Sequence, residues 1–116
     1  MVMTVRELAA LINAKNMTEN VCLDKDISCG YTCDLLSWVM ANGKQGMAWI
    51  TVQTHMNVIA VAVLMEMAVV IMPENIEMDV ASVEKAKAED LVVLQSPLSA
   101  YAICGLMAGK GIPAEI

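Results

Sequence analysis

Three short apolar runs set the tightest limit on how this chain can fold: Met47 to Val52, Ala68 to Met72 and Leu91 to Leu94. None shows the polar–apolar alternation of a half-solvated strand. Each therefore needs cover on both faces, the condition met by parallel strands between helices. Their brevity argues for strands over helices. Between them the pattern turns helical. Thr54 to Met67 is one such span and Val80 to Glu89 another, the second capped by Asp79 and marked as solvent-facing by Glu84, Lys85, Lys87 and Glu89. Upstream, Ile27 to Cys33 reads as a further strand. Asp34 then caps a helix carrying Leu35, Leu36, Trp38, Val39 and Met40, which Asn42-Gly43 stops.

The ends of the chain follow the same logic. Thr4-Val5-Arg6-Glu7 has the form of a capping box, and Leu8, Leu11 and Ile12 place a first helix from Val5 to Ala14. In the polar connection that follows, Val21-Cys22-Leu23 is the segment suited to an edge strand. Pro73-Glu74-Asn75 turns the chain, Ser96-Pro97 opens the last helix, and Gly109 or Gly111 closes it. Strands alternating with helices over short connections predict right-handed crossovers and the α/β class. The expectation is a single domain with a mostly parallel sheet of about four to five strands covered by helices. Residues 1–25 form an amino-terminal helix and connection, and 26–116 the alternating core.

Composition narrows the function classes. With 58% hydrophobic and only 17% charged residues the chain is too apolar to stay disordered, and eleven Met with no Phe leave an aliphatic interior. The longest apolar stretch, Val58 to Met72, is broken by Glu66 and falls short of the about 20 residues that a membrane span needs. The first residues lack the basic-then-apolar pattern of a secretory signal, so the cytoplasm is the expected location. A formal charge of −6 repels nucleic acid and anionic lipid. Cys22, Cys29, Cys33 and Cys104 sit among apolar neighbours and read as reduced, packed thiols.

Parallel strands bring the loops at their carboxyl ends to one edge, where ligands usually bind. The residues expected there are Gly30, Tyr31 and Asp34 after the first strand, Gln53, Thr54, His55 and Asn57 after the second, and Gln95, Ser96 and Ser99 after the fourth. Each loop precedes a helix, whose free N–H groups suit an anion such as a phosphate or carboxylate. Asp34, Thr54, Asn57 and Ser96 are also ordinary capping residues. Gln53-Thr54-His55 is the triplet that capping explains least, and it holds the only histidine. No metal site is expected, because the Cys29 to Cys33 spacing differs from that of zinc ligands. Gly105-Leu106-Met107-Ala108-Gly109-Lys110-Gly111 lacks the spacing and the Ser/Thr of a phosphate loop, and Glu89-Asp90 reads as solvated surface. No nucleophile signature is present, so neither an enzymatic activity nor a cofactor is expected.

Asp26-Ile27-Ser28-Cys29-Gly30, the following Tyr31-Thr32-Cys33-Asp34-Leu35-Leu36-Ser37, the stretch Trp49-Ile50-Thr51-Val52-Gln53-Thr54-His55-Met56-Asn57 and the closing Leu98-Ser99-Ala100-Tyr101 together resemble a DRTGG domain. The resemblance implies a fold related to the amino-terminal domain of HPr kinase/phosphorylase, without its kinase domain. It also implies a regulatory or ligand-sensing module that often dimerises, found alone or beside cystathionine-synthase-type nucleotide-sensing domains, including in some inorganic pyrophosphatases. Of the family's motif, Asp26 and Gly30 are retained and Ser28 is a conservative stand-in. Ile27 replaces the Arg and Cys29 the first Gly, so a phosphate contact through that Arg has no counterpart here.

Two functions are therefore expected to compete. The first is a non-enzymatic regulatory domain binding a small anionic metabolite, such as a nucleotide, at the edge holding Asp34, Gln53, Thr54, His55, Asn57, Ser96 and Ser99. The alternative is a structural module whose Met-rich face forms a homodimer or docks on a partner enzyme.

Overall fold

The structure, a computed structural model, describes residues 2–114. In chain order the elements are α1 (Val5–Leu11), β1 (Lys15–Asn16), β2 (Cys29–Thr32), α2 (Leu36–Asn42), β3 (Met47–Ile50), α3 (Met56–Leu64), β4 (Val69–Met72), α4 (Val80–Ala88), β5 (Val92–Gln95) and α5 (Ala100–Gly109). They form one five-stranded sheet in the order β1-β5-β4-β3-β2. Strands β2 to β5 run parallel, and β1 joins β5 antiparallel. The expected α/β architecture with a mostly parallel sheet is thus present.

Strand parity explains the uninterrupted apolar runs. Trp49 pairs with Val70 and Val70 with Val93, a row that packs with Val39, Val58, Ile59, Val83 and Ala86 of α2, α3 and α4. The adjacent row, Ile50, Ile71 and Leu94, packs with Val5 and Leu8 of α1 and Ile103 and Met107 of α5. Successive side chains point to opposite faces. A strand between two helical layers therefore has no solvated position, and all of Met47–Ile50 and Val69–Met72 are buried. The strand order runs monotonically from β2 to β5. Successive right-handed crossovers thus keep α2, α3 and α4 on one face, and α5 returns beneath the other to reach β2.

Four helices end alike. At the ends of α1, α3, α4 and α5 the residues Asn13, Glu66, Asp90 and Gly111 take positive φ. The next N–H then reaches back five residues: Ala14 to the Ala9 carbonyl, Met67 to Ala62, Leu91 to Ala86 and Ile112 to Met107. These are Schellman motifs, and an apolar residue follows each reversal into the core. Only Gly111 announces itself in the sequence, because the other three positions carry side chains where glycine is usual. The helices are correspondingly shorter than the apolar periodicity predicts. The one starting at Val5 stops at Leu11 rather than Ala14, and the third covers Met56–Leu64 rather than Thr54 to Met67.

The edge strand is a correction. Lys15-Asn16, not Val21-Cys22-Leu23, lies against β5. Thr18 explains this: fully buried, it donates to Asn16 Oδ1 at 2.8 Å and accepts the Val93 N–H at 3.1 Å. The next rung is thus half backbone, from the Met17 N–H to the Val93 carbonyl, and half side chain, from the Val93 N–H to Thr18. Val21 is buried beside the sheet without pairing.

Candidate functional site

Four loops meet at the carboxyl edge of the sheet: residues 33–35, 51–55, 73–79 and 96–99. The first two are bound together by Asp34. Its Oδ1 accepts from the Thr51 hydroxyl and from the Val52 N–H, both at 2.9 Å, while its carbonyl accepts from Gln53 Nε2 at 3.0 Å. Thr51 Oγ1 in turn accepts the Gln53 N–H at 3.1 Å. Asp34 therefore does not cap α2, as its residue type suggested. The cap position belongs to Leu35, which makes no side-chain bond there. The reason is local: β3 ends in a buried hydroxyl and a free N–H that need an acceptor, and Asp34 at the neighbouring strand end supplies it.

The start of α3 is held by His55, whose Nδ1 accepts the Asn57 N–H at 3.0 Å. The triplet that capping seemed least able to explain thus contains the cap, and Thr54 lies just outside the helix. Asp79 caps α4 by accepting the Ser82 N–H at 2.7 Å. That donor is the main cause holding the Asp79 carboxyl below its ordinary range, with a smaller contribution from the charge of His55.

The other two loops form a separate unit. Gln95 Nε2 donates to the Asn75 carbonyl at 2.8 Å, and backbone bonds join Glu74 to Leu98 and Asn75 to Ser96. Ser96 is fully buried, donates to the Ile12 carbonyl at 2.7 Å and accepts the Leu98 N–H at 3.2 Å. It does not open α5; Ser99 does, by accepting the Ala102 N–H at 3.1 Å. The structure therefore brings Asp34 and Gln53 together, sets His55 with Asn57 at the start of α3, and leaves Ser96 and Ser99 at the far end of the edge. Between the ends of β2 and β5 lie three strand spacings, about 14 Å. Gln95 lies at the edge as expected, whereas Thr51 and Asp79 are site residues that the sequence reading did not place there. Thr51 had a usable signal: it is the first polar residue after the apolar run that begins at Met47.

The motif positions lie elsewhere. Gly30 and Tyr31 are inside β2 rather than in the loop after it. Asp26 and Ser28 precede β2, at the amino edge of the sheet. Asp26 bridges Thr4, and Ser28 Oγ donates to the Gln45 carbonyl at 2.7 Å. Gly30 runs beneath α5, where an added Cβ would come within 2.9 Å of Met107 Cε. Ile27 and Cys29, the two departures from the motif, are both buried in the core. Asp26 and Ser28 line a cavity of about 320 Å³ with Lys110 and Ile112.

A second surface stands out by its chemistry. Neither α2 nor α3 carries a charged side chain, and between them runs a groove of about 270 Å³ lined by Leu36, Met40, Asn57, Ala60, Val61 and Leu64. Leu35, Trp38, Met56 and Leu64 are exposed around it, Leu64 by 65%. All four thiols are free, and burial pushes that of Cys104 up. Among the described residues no group of three or more His, Cys, Asp or Glu is placed to hold a metal ion, and no helix is long and apolar enough to cross a membrane.

No family model matches this chain, and no curated protein does. Among solved structures it is similar to the CBS and DRTGG domains of the regulatory region of Clostridium perfringens pyrophosphatase, complexed with the activator diadenosine tetraphosphate. The TM-score is 0.75 at 11% sequence identity, over 97% of this chain and 48% of that one. This chain thus spans about half the length of the structure it matches. The likeness is one of fold, and that fold is DRTGG-like.

Proposed function

We propose that this protein is a non-enzymatic, cytoplasmic regulatory domain that senses a small anionic metabolite of the nucleotide class. The observation that carries the reading is the fold likeness to a regulatory region whose structure holds a dinucleotide activator. We place the ligand at the carboxyl edge, on Asp34, Gln53, Thr54, His55 and Asn57, with Ser96 and Ser99 at its far end. Asp34 supports this assignment by fixing two loops against each other, and α3 starts beside them at His55, the side chain that a ligand taking the Asn57 N–H would displace. Asp34, Glu74, Glu77 and Asp79 border the same edge. The ligand's charge must therefore be met by helix-start N–H groups or by a cation that it brings.

A thermal-shift and calorimetric screen tests this with adenine and guanine nucleotides and dinucleoside polyphosphates, each with and without Mg²⁺. A ligand at one hundred times its Kd adds about 2.7 kcal/mol, a rise in Tm of roughly 10 °C for a chain of this size. His55→Ala and Gln53→Ala should reduce that rise. No response from any compound sinks the reading, and an unaltered response in both variants sinks the site.

The uncharged α2–α3 face favours a second reading, a homodimer or a docked partner enzyme. An apolar groove rimmed by Trp38, Met40 and Leu64 is a surface that solvent alone covers poorly. Light scattering at high concentration should give a mass above that of the monomer and return it to the monomer in Leu64→Lys. A strict monomer removes the self-association version.

A further inference from the structure

The cap on α3 is chemically unlike those on the other helices. Thr4, Asp79 and Ser99 accept N–H groups through oxygen, which keeps its lone pairs across the neutral range. His55 accepts through Nδ1, so its ring must be neutral with the proton on Nε2. A proton added at Nδ1 takes up the lone pair that receives the Asn57 N–H and sets two N–H groups against each other. The new positive charge also faces the positive end of the helix dipole, and α3 has no acidic residue in its first turn to offset it. His55 is exposed, so protons reach it freely.

The charged groups on the elements around α3 are few. α2 has none, α4 carries Asp79 at its start and Glu84, Lys85 and Lys87 further along, and the adjoining loops carry Asp34 and Glu77.

We propose that His55 is a proton-operated cap: neutral, it closes the first turn of α3, and protonated, it releases the Asn57 N–H. The first turn of α3 then frays. The 51–55 loop, held at its other end by Asp34, loses its anchor on the helix side. The device works whether or not a ligand occupies the edge, so it stands or falls separately from the proposed function.

The test is amide exchange at Asn57 followed by NMR, with the ring fully neutral and then fully protonated as read from its own resonances. The neutral ring should carry its proton on Nε2, and protonation should lower the intrinsic-rate-corrected protection of Asn57 about fivefold. His55→Asn retains a good cap without a titrating ring, so it should keep its protection under both conditions. Equal protection of wild-type Asn57 in the two ring states, a neutral ring protonated at Nδ1, or the same loss in His55→Asn would each overturn the proposal.

Discussion

Helices α3 and α4 have nine residues each, pack on the same face of the sheet, connect parallel strands and end in the same reversal. Their outer surfaces have nothing in common. α4 buries Ser82, Val83 and Ala86 and turns Glu84, Lys85 and Lys87 outward, with ion pairs from Lys87 to Glu84 at 3.1 Å and Lys85 to Glu89 at 3.5 Å. α3 buries Val58, Ile59, Val61 and Ala62 and turns Met56, Ala60 and Leu64 outward with no charge at all. A helix apolar all round belongs in an interior. α4 is finished against solvent; α3, with α2 beside it, has the surface of a helix that something else covers. The difference teaches that a helix in the same structural role can carry a second requirement, legible only on the face that the fold does not use.

Five substitutions sharpen or break this contrast. The largest effect is expected on the inner side, where Ile59→Ala should destabilise the fold by about 2–5 kcal/mol in urea unfolding. A much smaller loss would mean that α3 is loosely held. The helix ends come next. Glu66→Gly should stabilise by about 1 kcal/mol by relieving a left-handed backbone. Asp90→Gly should gain less, because it removes the carboxylate that pairs with Lys25 Nζ. Equal gains would show that this tie contributes nothing. In acid the α4 cap should fail in a defined window: the Asp79 carboxyl lies below its ordinary value in the fold, so its contribution is present above the usual carboxylate range and is lost as pH falls through the lowered value. Asp79→Asn should flatten that part of the stability–pH curve; an unchanged curve removes the assignment. The smallest effect is expected outside α4, where Lys87→Ala should change stability by less than about 0.5 kcal/mol, as exposed ion pairs contribute little.

The core elements were legible because burial on both faces writes itself as runs without polar residues, as at Met47–Ile50 and Val69–Met72. Caps made through short oxygen side chains were legible too, at Thr4 and Asp79. What escaped was set by neighbours distant in sequence. Asp34 is a capping type, yet the unpaired donors of Thr51 and Val52 beside it claim its carboxylate. Ser96 is likewise a capping type, drawn inward instead by the carbonyl of Ile12. Lys15-Asn16 is too polar and too short to declare a strand, and pairs because Thr18 extends the ladder. Asp34, Gln53 and His55 emerge at the carboxyl edge of the sheet. Its division into a β2–β3 unit and a β4–β5 unit depends on which strands are neighbours, a fact no local pattern carries.

The antiparallel seam between β1 and β5 has a kinetic consequence. Strands β2 to β5 each pair with the next in the chain, so each closes one short crossover loop on forming. The seam instead joins residues far apart in the chain, Lys15 to Gln95 and Ile12 to Ser96, and carries the largest loop-closure entropy of any pairing between the five strands. It should therefore assemble last and open first. Substitutions at Thr18 or Ser96 should speed unfolding while leaving the folding rate almost unchanged.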